Sequence, residues 1–503
     1  MISRNLMITA LGSLSVLSVS AAKQKPNILF CIADDASMWT LGAYGGTFAK
    51  TPAIDKLAQE GAIFENAFTQ NPKSAPSRAT LVTGMHSWQL KEATNHFCHF
   101  PAEFKFYPHI LMENGYHVGL TGKGWGPGVY ETEHNPAGPL YNEVKLKAPY
   151  KGINTIDYAA NFEKFLDAND KKEPFCFWLG AYEPHRSYEQ DSWKKEGLKT
   201  LESVTPRACM PDNEIVRGDM LDYAIEVEWY DMHIGRAVKA LEDRGLLKNT
   251  LIIITSDHGM PFPRVKAQLY DEGFHVPFIV YWNGVIKAGT KIEDFIAFSD
   301  VAPTLMEVAG LKPDAQMSGS SFLDVLKAKK SGQIDASRDH VLLCKERHDV
   351  GRASEDGVDL AYPARGIRNA DYLYVKNYRS DRWPAGNPEY GYKNCDASPT
   401  KTYLLSLRPA DSDYIYYQMA FDKRPEEQLF DMKTDPDCIN NLAYDAKYAS
   451  IKKELCAQME KELKESGDPR MFGNGEIFET YPYQGKACDY QNPYNLVPTA
   501  KKK

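Results

Sequence analysis

No CxxC pair occurs among the nine cysteines of this 503-residue chain, which stand at 31, 98, 176, 209, 344, 395, 438, 456 and 488. That absence excludes the common zinc-ribbon and thioredoxin-type motifs. An odd count leaves at least one thiol free even where export permits disulfides, and Cys31 and Cys176 lie inside apolar runs that mark them as core residues. A strong field of one sign is also missing: the formal charge is -8, with no global basic surface for nucleic acid. After the first two dozen residues no apolar stretch is long enough to span a bilayer. There is no internal repeat, and no low-complexity tract beyond Lys501 to Lys503. With 43% hydrophobic and 25% charged residues, what remains is an ordinary globular chain, sized for one large domain and a smaller one.

The N-terminus reads MISRNLMITALGSLSVLSVSAAKQKPN. Arg4 supplies positive charge, Leu6 to Val19 an apolar stretch broken by serines, and Ser20-Ala21-Ala22 a small-residue cleavage site. Residues 1–22 are therefore expected to be a secretory signal peptide, and the mature protein to be periplasmic or secreted in a bacterium. No cysteine follows closely enough to suggest a lipid anchor.

Four short apolar runs each end in polar residues of chemical potential. PNILFCIADD ends in Asp34 and Asp35, GYHVGLTGKG carries Lys123, PFCFWLGAYEPH leads to His185, and NTLIIITSDHG ends in Asp257 and His258. Apolar runs without alternation fit strands buried on both faces, and helical patterns such as TPAIDKLAQEG and LDYAIEVEWYDMHIGRAVKALEDRG lie between them. The fold expected is α/β, with a large, mostly parallel sheet between helices. Such sheets bind ligands beyond the carboxyl ends of their strands, where all four polar groups fall. After residue 335 the runs shorten, and Tyr, Asp, Asn and Pro become more frequent. This places a larger domain at 23–335 and a smaller α+β domain at 336–503, with a late helix near 447–465.

In NPKSAPSRATLVTGMH, Pro76 suits a first helical turn and Ser74 or Ser77 suits a cap, which predicts a helix over 76–83 ending at Gly84. A helix start of this kind is an anion seat, although capping patterns beside a surface arginine are also commonplace. Asp34, Asp35, Asp257 and His258 converge on the same edge. Each alone reads as a turn or helix cap; together they call for a cation, and oxygen-rich ligation favours calcium or magnesium over zinc.

These motifs resemble the type I sulfatase family. SAPSRATLVTG is similar to its signature, and NILFCIADD, TGKG, EPH, TSDHG, GFHVPFIVYW, SDVAPTL and QLFDMKTDPDCINNLA follow in order along nearly the whole mature chain. EPHR and DHGMPFPRVKAQLY bring it nearest to the heparan N-sulfatase branch. The resemblance implies an alkaline-phosphatase-like fold and an exported hydrolase that removes sulfate from a sulfated saccharide. It also implies that Ser74 is oxidised to 3-oxoalanine (formylglycine) by a serine-type, radical-SAM maturing enzyme. One hydroxyl of the aldehyde hydrate then attacks sulfur as the sugar leaves with the bridging oxygen or nitrogen, and the other hydroxyl loses its proton so that sulfate leaves by C–O cleavage and the aldehyde is restored.

By the same resemblance Asp34, Asp35, Asp257 and His258 are the metal ligands together with Ser74, the last of the four standing where many relatives carry Asn. Arg78 holds the hydrate and its neighbouring carboxylate, Lys123 and Lys266 grip sulfate oxygens, and His185 serves the leaving group. One departure is Trp125, at a position where relatives usually carry a histidine linked to the elimination step; His96 or His99 from NHFCHF are candidates to replace it.

For the sugar, the loose similarity of CKERHDVGR and YPARGIR to substrate-contacting segments makes Arg347, His348, Asp349 and Arg365 candidates, with interdomain salt bridges as the other reading. DRWPAGNPEYGY reads either as an aromatic sugar platform or as packing. The substrate expected first is terminal N-sulfoglucosamine of heparan type. Alternatives are an O-sulfate of galactose, N-acetylgalactosamine or an algal polysaccharide. A glycan-binding protein with a decayed site and a phosphatase or phosphodiesterase of the same fold are the remaining readings.

Overall fold

The computed structural model describes residues 25–352 and 359–486. The expected signal peptide and Cys488 lie outside the described residues. Strands β1 (Asn27–Ala33), β2 (Ala62–Phe64), β3 (His117–Gly122), β4 (Phe175–Gly180), β5 (Thr250–Ser256), β6 (Phe278–Trp282) and β7 (Thr290–Ile292) form one seven-stranded sheet in the order β7-β2-β6-β5-β1-β4-β3. β3, β4, β1 and β5 run parallel, while β6 lies antiparallel to both its neighbours.

The unalternating apolar runs have a direct cause. Ile28, Phe30 and Ile32 of β1 point to one face of the sheet, where they pack with Ala75 and Ala79 of the helix Ser74–Thr83 and with Val301 and Leu305 of the helix Val301–Val308. Leu29 and Cys31 point to the other face, against Phe162 of the helix Tyr158–Asp167 and Tyr223 and Ile234 of the helix Glu214–Asp243. Both faces are covered, so both parities of the strand must be apolar. Cys31 and Cys176 are buried here, and the cysteines among the described residues carry free thiols.

A second, four-stranded antiparallel sheet joins β8 (His340–Lys345), β9 (Ala364–Asn369), β10 (Tyr372–Asn377) and β11 (Glu427–Asp431). Leu342, Ile367, Tyr374 and Leu429 face Leu455, Met459 and Leu463 of the helix Ala449–Glu465. From the opposite face Leu343, Leu373 and Phe430 pack on Phe68, Phe274 and Phe295 of the larger domain, so an apolar seam fixes the two domains against each other. This is the expected α/β architecture with a smaller α+β domain. Among the described residues no helix is long and apolar enough to cross a membrane.

Candidate active site

The four parallel strands deliver their polar termini to one edge, and backbone hydrogen bonds carry the ladder past the strand ends. Asp34 N–H donates to Glu183 O at 3.1 Å, Asp257 N–H to Ala33 O at 3.2 Å, and Lys123 N–H to Gly180 O at 2.7 Å. Two glycines make the last contact possible. Gly122 has φ 72° in the left-handed region, and a Cβ there would lie 1.9 Å from Gly180 O; a Cβ on Gly180 would lie 1.9 Å from Lys123 O. Asp35 also turns at φ 75°, a conformation Asp tolerates, and its N–H donates to Asp257 Oδ1 at 3.0 Å.

The signature helix spans Ser74–Thr83, with Lys73 at the N-cap position and Gly84 in the left-handed conformation after it. It begins two residues before the stretch expected from Pro76. Neither serine caps it: Ser77 Oγ donates to Asp257 O at 2.6 Å, and Ser74 Oγ turns to the site. Ser74 Oγ donates to Asp34 Oδ1 at 3.1 Å, receives Lys123 Nζ at 3.0 Å and lies 3.4 Å from His258 Nε2. One helical turn on, Arg78 is fully buried. Its Nε donates to Asp257 Oδ2 at 2.9 Å, and one terminal nitrogen donates to Lys123 O and Gly124 O at 2.9 and 3.0 Å. The arginine clamps the ends of β1, β3 and β5 together.

The electrostatics follow from these pairings. Burial raises the Asp34 pKa, but Lys123, with Nζ 2.6 and 2.7 Å from the two carboxylate oxygens, and then His185 hold it well below the usual range. Asp35 is lowered in the same way against burial, chiefly by Lys266 Nζ at 2.6 Å from Oδ2. Burial lowers His258. Its Nδ1 lies 3.1 Å from Gly259 O, a carbonyl that can only accept, so Nδ1 carries the proton and Nε2 keeps its lone pair.

That lone pair faces Asp35 Oδ1 at 3.2 Å, and Oδ1 is buried with no hydrogen-bond partner. Two electron-pair donors held this close, with Asp257 alongside, fit a cation. The ligand atoms of Asp35, Asp257 and His258 all lie within 4.8 Å of one another, and those of Asp35, His185 and Asp396 form a second such group. The donor set is mostly carboxylate oxygen, the chemistry of a hard divalent ion.

Above this floor opens a cleft of about 740 Å³. Asp34, Ser74, Lys123, His185 and Lys266 line it, as do His96 and Asp349 from the substrate-side candidates. Arg78, Asp35, Asp257 and His258 lie buried beneath. His185 stands at the rim; its Nδ1 lies 2.6 Å from Arg186 O, which leaves Nε2 directed inward, 3.9 Å from Asp35 Oδ2. Trp125 also lines the cleft, and its Nε1 donates to Ala75 O at 3.0 Å.

Four candidates are not brought to the cleft. His99 lies between Glu131 and Glu92. Arg347 donates to Tyr481 O and Pro482 O, and His348 Nε2 sits 2.6 Å from Asn71 Oδ1. Arg365 is buried between Asp468 and Glu346, an ion-pair network inside the smaller domain. In the aromatic loop, Tyr392 stacks on Phe421 at 4.5 Å and belongs to a local core.

Lys73 and Asp396 also line the cleft, and nothing in the sequence pattern marks either. Lys73 pairs with Asp349 at 2.6 Å, and Asp396 pairs with Lys266 at 2.8 Å from a loop of the smaller domain.

Comparison with known proteins bears directly on this constellation. The profile of the family described as Sulfatase matches residues 26–311, more than half of the chain. The chain belongs to the sulfatase family. A second profile, N-sulphoglucosamine sulphohydrolase, C-terminal, matches residues 262–383. An ulvan-active sulfatase of Formosa agariphila is 28% identical over 90% of this chain and 77% of its own length. The human N-sulphoglucosamine sulphohydrolase is 27% identical over 91% of this chain and 93% of its own. A solved structure of a protein in complex with its substrate D-glucosamine-2-N,6-O-disulfate superposes with a TM-score of 0.63 at 21% identity, covering 88% of this chain and 99% of that one, which bears on the fold. As a sulfatase, the protein is a hydrolase of sulfate esters or sulfamates.

Proposed function

We propose that this sulfatase removes sulfate from the end of a sulfated glycan, with N-sulfoglucosamine of heparan type as the leading substrate, and that Ser74 acts after oxidation to 3-oxoalanine by a serine-type radical-SAM maturing enzyme. One observation carries the reading: Ser74 Oγ stands on the cleft floor within 3.4 Å of Lys123 Nζ, Asp34 Oδ1 and His258 Nε2. Here the unmodified serine oxygen stands in for an oxygen of the hydrated aldehyde.

Asp35, Asp257 and His258, with Asp34 beside them, would hold a divalent cation, calcium first and magnesium second, which when bound supplies positive charge to the sulfate and nucleophile oxygens. Arg78 fixes Asp257 and the two strand ends around Ser74. Lys123 and Lys266 present ammonium groups to the cleft and compensate charge that moves onto sulfate oxygens. His185, the accessible imidazole at the rim, donates from Nδ1 to Arg186 O, so in its imidazolium form it is placed to give the Nε2 proton to the departing sugar oxygen or nitrogen. The C-terminal profile and the human relative support the N-sulfate reading. The Formosa relative supports a second one, an O-sulfate of an algal polysaccharide. Export rests on the N-terminal sequence.

The test has two arms. Mass spectrometry of the Ser74 peptide from the native host should show a loss of two hydrogens and hydrazide trapping; unmodified serine would remove the nucleophile. Sulfate release from N-sulfoglucosamine, N-acetylglucosamine 6-sulfate and ulvan oligosaccharides then ranks the substrates. No release from the first, with release from either other, would overturn the leading assignment.

A further inference from the structure

Resting on the glycan-sulfatase reading of this cleft, we propose that Asp396 and Asp349 select sulfated sugars whose other substituents on that side are uncharged, and reject those carrying a second sulfate or a carboxylate there. Both carboxylates come from the smaller domain and line the cleft beside the catalytic floor.

Three lysines line the cleft, and each is already committed. Lys123 Nζ lies on both oxygens of Asp34, Lys266 Nζ bridges Asp35 at 2.6 Å and Asp396 at 2.8 Å, and Lys73 Nζ holds Asp349 at 2.6 Å. The buried Arg78 is committed to Asp257. Lys123 and Lys266 belong to the sulfate under attack. Among the described residues that line the cleft, a second anion therefore finds no uncommitted lysine or arginine, and to gain one it has to displace Asp349 or Asp396 from its ion pair and lie beside the released carboxylate. Like charges brought together in a partly desolvated site are strongly disfavoured.

The same wall suits neutral hydroxyl groups. Asp396 is 24% exposed in its side chain on a cleft-lining residue, so its carboxylate is open to a bound ligand while Lys266 keeps it ionised. His96 places Nδ1 2.9 Å from Asp349 Oδ1; the acceptor carboxylate assigns the proton to Nδ1 and leaves Nε2 as an acceptor. Burial brings the His96 pKa down to about 4, so the ring is neutral in ordinary buffers. A carboxylate and a neutral imidazole nitrogen accept hydrogen bonds, and sugar hydroxyl or amide N–H groups donate them.

The experiment compares pairs of saccharides differing by one anionic group: N-sulfoglucosamine against D-glucosamine-2-N,6-O-disulfate, and galactose 6-sulfate against galactose 2,6-disulfate. Sulfate release gives kcat/KM for matured wild type, Asp396→Asn and Asp349→Asn, each checked by thermal melt. Binding of the same pairs to Ser74→Ala is measured by calorimetry. The wild type is expected to prefer the singly charged member of the pair it cleaves by about ten- to hundredfold, and each variant to shrink that ratio by about tenfold. Any loss of fold or of catalytic geometry lowers both members alike and leaves the ratio where it was. Equal use of both members by the wild type, or an unchanged ratio in both variants, overturns the selection. If no saccharide is bound or cleaved, the glycan-sulfatase reading fails and the selection falls with it.

Discussion

Lys123 Nζ lies 2.6 and 2.7 Å from the two carboxylate oxygens of Asp34 and 3.0 Å from Ser74 Oγ, so one ammonium group touches both the acidic floor and the proposed nucleophile position. Lys123→Ala is expected to lower kcat by about 10²–10³, the loss seen when one preorganised charge donor is removed from a site of this kind. Lys123→Arg should not restore it, because the planar guanidinium cannot occupy the same point between Asp34 and Ser74. Steady-state sulfate release on the best substrate checks both.

Arg78 is the buried counter-charge of Asp257 and the clamp on the backbone carbonyls of Lys123 and Gly124. Arg78→Ala leaves a buried carboxylate unpaired and should cost about 3–5 kcal/mol of stability. Denaturant unfolding monitored by tryptophan fluorescence reads this separately from activity. A loss under about 1 kcal/mol would mean that water repairs the site.

His258 offers a neutral nitrogen at the proposed cation site, and an amide oxygen can take the same place. His258→Asn should retain one bound divalent ion per chain by elemental analysis. His258→Ala should weaken ion affinity by at least about tenfold. Prolonged chelation of the wild type should lower its melting temperature, with recovery on adding calcium. A wild type indifferent to chelation would argue against the ion.

His340 joins the second sheet to the helix Ala449–Glu465 through Glu462 at 2.7 Å, with Asp339 at 2.6 Å on its other nitrogen. Burial alone would lower its pKa, but these two carboxylates raise it to about 9. A folded value above the unfolded one means the stabilisation is fully present below about pH 6.5 and is lost as pH climbs through about 9. His340→Gln should therefore melt well below wild type at about pH 6 and close to it at about pH 10. An equal gap at both would show that packing, not charge, is lost.

The sheet was legible because its strands are covered on both faces: Leu29 and Phe30 point in opposite directions and both are buried. Its chemistry was legible because the strand ends carry the charged residues. The limits lie on the substrate side. Arg365 and Asp349 are both polar residues in the smaller domain, yet one is sealed between Asp468 and Glu346 and the other opens on the cleft; nothing local separates those fates. Asp396 carries no motif at all, since its position depends on how a loop 130 residues after Lys266 packs across the seam. Lys73 adjoins Ser74, but adjacency alone gives it no role, because its partner, Asp349, lies far along the chain.

Every residue of the helix Ser74–Thr83 is buried, and Ser74 itself is only 2% exposed. The maturing enzyme proposed for Ser74 would have to enclose the residue and its neighbours, which their burial in the finished structure does not allow. On the proposed function, oxidation of this position would therefore precede folding. Activity would then be a race between two events in the life of a newly made chain, and a cell that folded the protein faster than it modified it would accumulate well-formed, silent molecules.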